Sequence, residues 1–126
     1  MFKEIKAFSG FSVKDIATSK DFYSGILGLE ISQPMDQLLL HLAGGGEVFL
    51  YAKPNHEPAT FTVLNFPVPS LKNAMEELRK RGVDFIIYKE EGFETDENGV
   101  FLGEGPKIAW FKDPSDNILS VIEQEG

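Results

Sequence analysis

The chain has 126 residues, of which 42% are hydrophobic and 25% charged, and it contains no cysteine. This length is enough for one domain with a buried core. The lack of cysteine excludes disulfides, thiolate metal sites and a cysteine nucleophile, and it favours a cytoplasmic location. The net charge of −8 is unfavourable for contact with nucleic-acid backbones or anionic lipid, because like charges repel. We therefore expect neither a nucleic-acid nor a membrane partner.

Hydropathy and the N-terminal sequence support this expectation. No stretch of about 18 apolar residues is present, so no membrane-spanning helix is predicted. The first ten residues, MFKEIKAFSG, mix acidic and basic side chains without a long apolar run. This pattern is not that of a signal peptide.

The first half of the chain predicts a strand, a helix and three further strands. Asp15 is suited to the helix N-cap, because its side chain can accept a hydrogen bond from a free amide of the first turn. Gly28 is suited to end the helix. A strand is predicted over 29–33 and a hairpin over 38–52. The apolar stripe of the helix consists of Phe22, Tyr23, Ile26 and Leu27.

The second half repeats the same order. Ser70 is the predicted N-cap of the second helix, Gly82 its end, and a strand is predicted over 83–88. A second hairpin is predicted over 108–122, around the turn Asp113-Pro114-Ser115-Asp116-Asn117.

The two hairpins align without a gap, with Leu40 on Trp110 and Leu50 on Ser120. This match and the repeated order of cap, helix and glycine indicate a duplicated unit. We predict one module over 1–53, a linker over 54–60 and a second module over 61–126.

The second module is longer between its helix and its hairpin, over 89–105. The pair Asn98-Gly99 is a strong hairpin signal, so a β-ribbon arm is predicted. Such an arm would cover a binding site or contact a second subunit; a solvated loop is the alternative. Six acidic residues lie in this insertion: Glu90, Glu91, Glu94, Asp96, Glu97 and Glu104.

The segments FSVKDIATSKDFYSGILGLEIS (11–32) and AWFKDPSDNILSVIE (109–123) resemble the vicinal oxygen chelate superfamily. This superfamily includes glyoxalase I, bleomycin-resistance proteins, fosfomycin-resistance enzymes and extradiol dioxygenases. The resemblance implies an α+β fold in which tandem βαβββ modules form an open, cup-shaped mixed β-sheet. It also implies a homodimer. It says little about the reaction, because one fold hosts many functions.

Metal-dependent members of this superfamily place His, Gln or Glu at up to four equivalent points on the first and last strands of the modules. Carried over residue by residue, these points are Phe8, Leu50, Val63 and Ser120. Hydrocarbon side chains cannot bind a metal, and a serine hydroxyl is a poor ligand for a divalent ion. We therefore expect no metal and no other cofactor, and we favour a binding protein over an enzyme.

The candidate ligand site follows from the resemblance and from strand alternation. Even-numbered hairpin positions are expected to face the cup, where they form an apolar, partly aromatic pocket typical of small-molecule sites. His41 is expected on the opposite face. His56 in the linker is expected in solvent, with an approach to the mouth of the cup as the alternative. No Ser-His-Asp set, phosphate loop or pair of catalytic carboxylates is predicted. The predicted ligand-binding residues are Phe8, Ser12, Leu40, Leu50, Val63, Asn65, Trp110 and Ser120.

The favoured function is a glyoxalase/bleomycin-resistance-like protein that binds a small hydrophobic or cationic molecule without the usual metal. One alternative is a lyase or a dioxygenase-type enzyme with non-standard active-site residues or with residues supplied by a dimer mate. Another is a structural or regulatory module whose cup has collapsed into a plain core. Pairing of the modules within one chain and exchange between chains both remain open.

Overall fold

A computed structural model describes residues 1–125. The chain divides into two compact units, Met1–Pro58 and Ala59–Gly126. Each unit combines one main helix with one main β-sheet, so the predicted α+β class is confirmed. No helix in the described part of the chain is long and apolar enough to cross a membrane.

The first unit has a four-stranded mixed sheet in the order β1-β4-β3-β2. Strand β1 runs parallel to β4, and the other neighbours are antiparallel. Short 3-10 turns lie at Phe2–Glu4 and Pro34–Asp36. The strands are β1 (Ser9–Val13), β2 (Glu30–Ser32), β3 (Leu38–His41) and β4 (Glu47–Ala52).

Helix α1 (Ile16–Lys20) begins at the predicted N-cap. The Asp15 carboxylate accepts a 2.8 Å hydrogen bond from the Thr18 amide. The helix then continues as a π-helical segment, Asp21–Ile26, which buries its Phe and Tyr side chains. The π-helical geometry of this segment was not predicted from the sequence.

The second unit repeats this arrangement with a three-stranded sheet in the order β5-β9-β8. Its helix begins at the predicted cap, where the Ser70 hydroxyl accepts from the Asn73 amide at 3.2 Å. Two short strands form a separate ribbon between the helix and the hairpin. The elements are β5 (Thr62–Val68), α2 (Leu71–Lys80), β6 (Lys89–Glu90), β7 (Phe93–Glu94), β8 (Ile108–Lys112) and β9 (Ile118–Glu123).

The strand predicted over 83–88 is reduced to a single bridge. Phe85 bridges Phe111 in antiparallel fashion, and the Ile86 amide donates to the Trp110 carbonyl at 2.8 Å. Beyond that point Tyr88 and Thr95 bond to each other, because the chain turns away into the ribbon. The prediction of a full strand is therefore wrong. The backbone groups of Tyr88, which would extend the strand, bond to the insertion instead.

Candidate functional site

In the second unit, helix α2 packs on one face of the sheet. Residues paired on neighbouring strands point to the same face, and successive residues alternate. The Glu123 carboxylate accepts from the amide of helix residue Leu71 at 3.0 Å, which marks the helix face. Trp110, Ser120 and Asn65 form one row across the sheet on the opposite face. We call this opposite face the helix-free face.

Trp110 lies at the centre of a group of aromatic rings. The rings of Tyr88, Phe93 and Phe101 lie with their centroids 5.6, 5.0 and 5.7 Å from that of Trp110. The indole N–H donates to the Thr62 hydroxyl at 3.1 Å. Trp110 is consequently only 7% exposed. We call these four aromatic residues the Trp110 cluster.

A neutral polar pair lies beside Trp110. The Ser120 hydroxyl donates to the Asn65 side-chain oxygen at 2.5 Å. Ser120 is fully buried, whereas Asn65 is exposed. The buried hydroxyl is thus satisfied by an amide on the neighbouring strand.

The insertion forms the predicted β-ribbon, with β6 antiparallel to β7. Its second turn is closed by Asp96, whose carboxylate accepts from the amides of Asn98 and Val100 at 2.9 Å each. Two rings of the Trp110 cluster belong to this arm. A groove of about 260 Å³ borders those two rings. It is lined by Gly92, Phe93, Glu94, Phe101, Leu102 and Gly103.

Burial within the Trp110 cluster has an electrostatic consequence. Removal from water raises the pKa of the Tyr88 phenol above its ordinary value of 10.0, and the negative charge of Glu90 adds to the rise. The Tyr88 phenol is therefore harder to ionise than an exposed one.

Val63 lies at an irregularity of the sheet, so strand alternation does not place its side chain. The pairing of β5 with β9 shifts register between Thr62 and Leu64, and Val63 is the extra residue at this irregularity. Alternation does not carry across such a bulge. Thr62 is the residue whose side chain reaches Trp110.

In the first unit, Leu40 and Leu50 lie on the helix face, not on the face expected for the site. Leu50 pairs with Phe11, whose ring lies 6.4 Å from that of Tyr23 in the helical segment. Leu40 and Leu50 are both 0% exposed. The expectation that even-numbered positions face the site is wrong in this unit.

The reason is a shift of one residue between the two hairpins. His41 pairs with Glu47 at the end of the first hairpin, where Lys112 pairs with Ile118 in the second. Phe49, not Leu50, is then the counterpart of Ser120. A one-residue shift moves every side chain of a strand to the other face.

Ser12 lies on the helix-free face of the first unit, in the row of Tyr51. The Ser12 hydroxyl and the His56 Nδ1 lie 2.6 Å apart. His56 is therefore half-buried against the sheet and does not stand in solvent as expected. Phe8 precedes β1 and is 66% exposed.

His41 was also placed on the wrong face by the ungapped alignment. It lies on the helix-free face of the first unit, in one row with Glu30 and Glu47. The side chains in this row come from three adjacent strands. Sequence spacing alone gave no signal for them, because the register of the hairpin brings them together.

The residues at the superfamily's metal positions do not fit a metal centre. With the corrected register the positions hold Phe8, Phe49, Val63 and Ser120, which offer three hydrocarbon side chains and one hydroxyl already bound to an amide. Across residues 1–125, no group of three or more His, Asp or Glu side chains is arranged to hold a metal ion. We therefore derive no reaction step through a metal.

The fold and the sequence together define the class of protein. The sequence model of the Glyoxalase/Bleomycin resistance protein/Dioxygenase superfamily matches residues 7–121, so the chain belongs to this superfamily. A comparison with curated proteins gives no significant match.

Solved structures of the same fold cover nearly the whole chain. The glyoxalase family protein from Enterococcus faecalis has a TM-score of 0.69 at 19% identity and covers 98% of this chain and 100% of its own. TnmS3, an antibiotic binding protein from Streptomyces sp. CB03234, has a TM-score of 0.67 at 22% identity, covering 96% and 98%. The fosfomycin resistance protein FosX from Listeria monocytogenes has a TM-score of 0.68 at 15% identity, covering 94% and 92%. At these identities the likeness concerns the fold.

Proposed function

We propose that this protein binds a small hydrophobic or cationic molecule at the Trp110 cluster, without the metal used by the superfamily's metal enzymes. The observation that carries this proposal is the set of three aromatic rings packed around the indole of Trp110, beside the Ser120–Asn65 pair. Aromatic faces attract apolar groups and cations, and a few fixed polar groups orient the ligand.

The charge of the arm favours the cationic class. Six acidic residues lie between positions 90 and 104, and no lysine or arginine lies among them. Carboxylates beside an aromatic surface raise the local concentration of cations and strengthen their attraction to the ring faces.

The size of the groove constrains the ligand. At about 260 Å³, it is smaller than the roughly 300–1,000 Å³ of typical drug-sized sites. A ligand confined to the groove is therefore small. A larger ligand would reach the indole only if the side chains of Phe93 and Phe101 moved away from it.

Two relatives of the same fold support a binding role for small organic molecules. TnmS3 is described as an antibiotic binding protein and FosX as a fosfomycin resistance protein. We carry over from them the class of ligand, a small organic molecule. We also propose that the protein is a cytoplasmic homodimer.

Native mass spectrometry of the purified protein is the first test. A metal-free dimer with additional organic mass is the expected result, and that mass leads directly to the ligand. A stoichiometric divalent metal would overturn the metal-free proposal.

Fluorescence titration is the second test, since Trp110 is the only tryptophan. We expect phenyltrimethylammonium to shift the emission of Trp110 at lower concentration than its neutral isostere tert-butylbenzene. The preference should weaken with salt, because exposed charges are screened. Phe93→Ala should weaken binding, whereas Phe2→Ala, at a 77% exposed aromatic residue, should not. No emission change and no thermal stabilisation with either compound would favour a plain core.

A further inference from the structure

Three polar side chains on the helix-free face of the first unit contact one another in series, through one hydrogen bond and one ion-pair contact. The Ser32 hydroxyl lies 2.9 Å from His41 Nε2, and Glu47 Oε2 lies 3.4 Å from His41 Nδ1. Ser32 is on β2, His41 on β3 and Glu47 on β4, which are adjacent in the sheet. The series is therefore built on neighbouring strands, which hold side chains more firmly than loops do.

The contact with Glu47 favours one tautomer of His41. A carboxylate can only accept, so it favours the tautomer that carries the proton on Nδ1, 3.4 Å away. Nε2 is then an acceptor, and the Ser32 O–H donates to it. This order of hydroxyl, imidazole and carboxylate is the arrangement that activates a serine nucleophile.

The series is accessible to a substrate. Ser32 is exposed, and the side chains of His41 and Glu47 are 37% and 45% exposed. The backbone just beyond Ser32 is unusual, since Met35 and Asp36 have φ values of +54° and +61°. Such conformations in residues other than glycine are enriched at functional sites.

The neighbours of Ser32 indicate the substrate class. Leu39 pairs with both Ser32 and Phe49, and Phe49 stacks on Tyr51 with centroids 6.0 Å apart. This gives an apolar strip on the same face as the hydroxyl. Glu30 and Glu47 lie opposite His41 on its two sides and disfavour an anionic substrate.

We propose that Ser32, His41 and Glu47 form a catalytic site that hydrolyses neutral carboxylic esters with a small apolar acyl group. The Ser32 oxygen bonds to the ester carbonyl carbon while its proton passes to His41 Nε2. The C–O bond to the alcohol breaks, and the alcohol leaves with that proton. Water then attacks the acyl-serine by the same route, giving the carboxylic acid and free Ser32. Glu47 is a positioning residue that acts through His41.

The test uses 4-nitrophenyl butyrate with the purified full-length chain. General-base activation of a nucleophile is worth roughly 10²–10⁴-fold, so Ser32→Ala and His41→Gln should each lower kcat/KM at least about tenfold. Glu47→Ala should lower kcat with little change in KM, and Glu47→Asp should recover part of the loss. All of these side chains are at least partly exposed, and thermal unfolding checks that each variant is folded.

Two controls separate this site from general reactivity. Ser9→Ala removes a different exposed hydroxyl, and His56→Gln removes the other imidazole, which could hydrolyse a nitrophenyl ester unaided; both should retain the wild-type rate. A fluorophosphonate probe should add its mass to the peptide that contains Ser32. Hydrolysis that persists in Ser32→Ala, that is lost equally in His56→Gln, or that leaves Ser32 unlabelled would overturn the proposal.

Discussion

Ser120 and Asn65 lie opposite each other on paired strands, and the Ser120 hydroxyl donates to the Asn65 side-chain oxygen at 2.5 Å. Metal-dependent relatives commonly carry a carboxylate at the position of Ser120, as the resemblance implies. In this chain the position holds a buried hydroxyl with a neutral partner. The pair therefore sets the polarity of the sheet beside Trp110 without adding charge.

The first prediction concerns the asymmetry of this pair. Asn65→Ala leaves the buried Ser120 hydroxyl without its partner, which costs about 1–3 kcal/mol of unfolding free energy. Ser120→Ala leaves only an exposed amide that water can satisfy, so we expect a cost of about 1 kcal/mol or less. Urea unfolding of both variants and of the double variant measures the difference. Equal costs for the two single variants would contradict the burial difference.

The second prediction concerns Tyr88, whose pKa is raised by burial and then by Glu90. The native state then holds its phenolic proton to higher pH than the unfolded state does. The resulting stability is fully present below about pH 10, the unfolded value, and is lost as the pH rises through the native pKa. Glu90→Gln should lower the pKa of Tyr88 by removing the smaller cause.

Absorbance titration of tyrosinate compares the wild type with Tyr88→Phe and identifies the late-titrating group. Tyr51→Phe is the matched control, because Tyr51 is 39% exposed and stacks only on Phe49 among the aromatic pairs of the described chain. The difference between the two titration curves gives the pKa of Tyr88. A pKa at the ordinary value for tyrosine would contradict burial of this phenol in the cluster.

Local chemistry made the helix starts predictable from the sequence. Asp15 and Ser70 each accept a hydrogen bond from the amide three residues ahead, as their side chains and the following apolar stripes indicate. The turn before β9 was predictable for the same reason. The Asp113 carboxylate accepts from the amides of Ser115 and Asn117 at 2.8 and 2.9 Å.

Which side chains of the first hairpin point toward the helix could not be predicted by aligning that hairpin with the second. Both strands of that hairpin are apolar at successive positions, from Leu38 to Leu40 and from Val48 to Leu50. Without alternation, sequence does not distinguish one register from the next. The tertiary contact between the rings of Phe11 and Tyr23 identifies the helix face.

The aromatic arm and the Ser32–His41–Glu47 series were missed for a related reason. Phe93 and Phe101 reach Trp110 only because the ribbon folds back on the sheet. His41 meets its two partners across strands whose pairing is set by the core. Contacts between residues on different strands depend on register, which composition and spacing do not determine.

The third prediction concerns Asp116 in the turn before β9. Its φ of +65° lies in the left-handed region, where a side chain is unfavourable and glycine is not. The resemblance to the superfamily implies glycine at this point of the hairpin. We expect Asp116→Gly to raise the unfolding free energy by roughly 0.5–1 kcal/mol.

Thermal and urea unfolding measure this effect, with Pro114→Gly as the comparison in the same turn. Proline restricts the unfolded chain, so Pro114→Gly should destabilise by a similar amount. A destabilised Asp116→Gly variant would show that the carboxylate of Asp116 contributes more than its backbone geometry costs.

The last prediction concerns the ring of Phe101, which covers Trp110. A Cβ added at Gly103 would overlap the ring of Phe101, which lies 5.7 Å from the Trp110 ring, centroid to centroid. Gly103→Ala should therefore displace the Phe101 ring, shift the Trp110 emission to longer wavelength by admitting water, and cost about 1–3 kcal/mol of stability. Gly25→Ala is the control, because its Cβ would meet no atom within 4 Å and should leave the emission unchanged. Unchanged emission in Gly103→Ala would mean that Phe101 does not shield the indole from water. Phe101 would then not form part of the proposed ligand site.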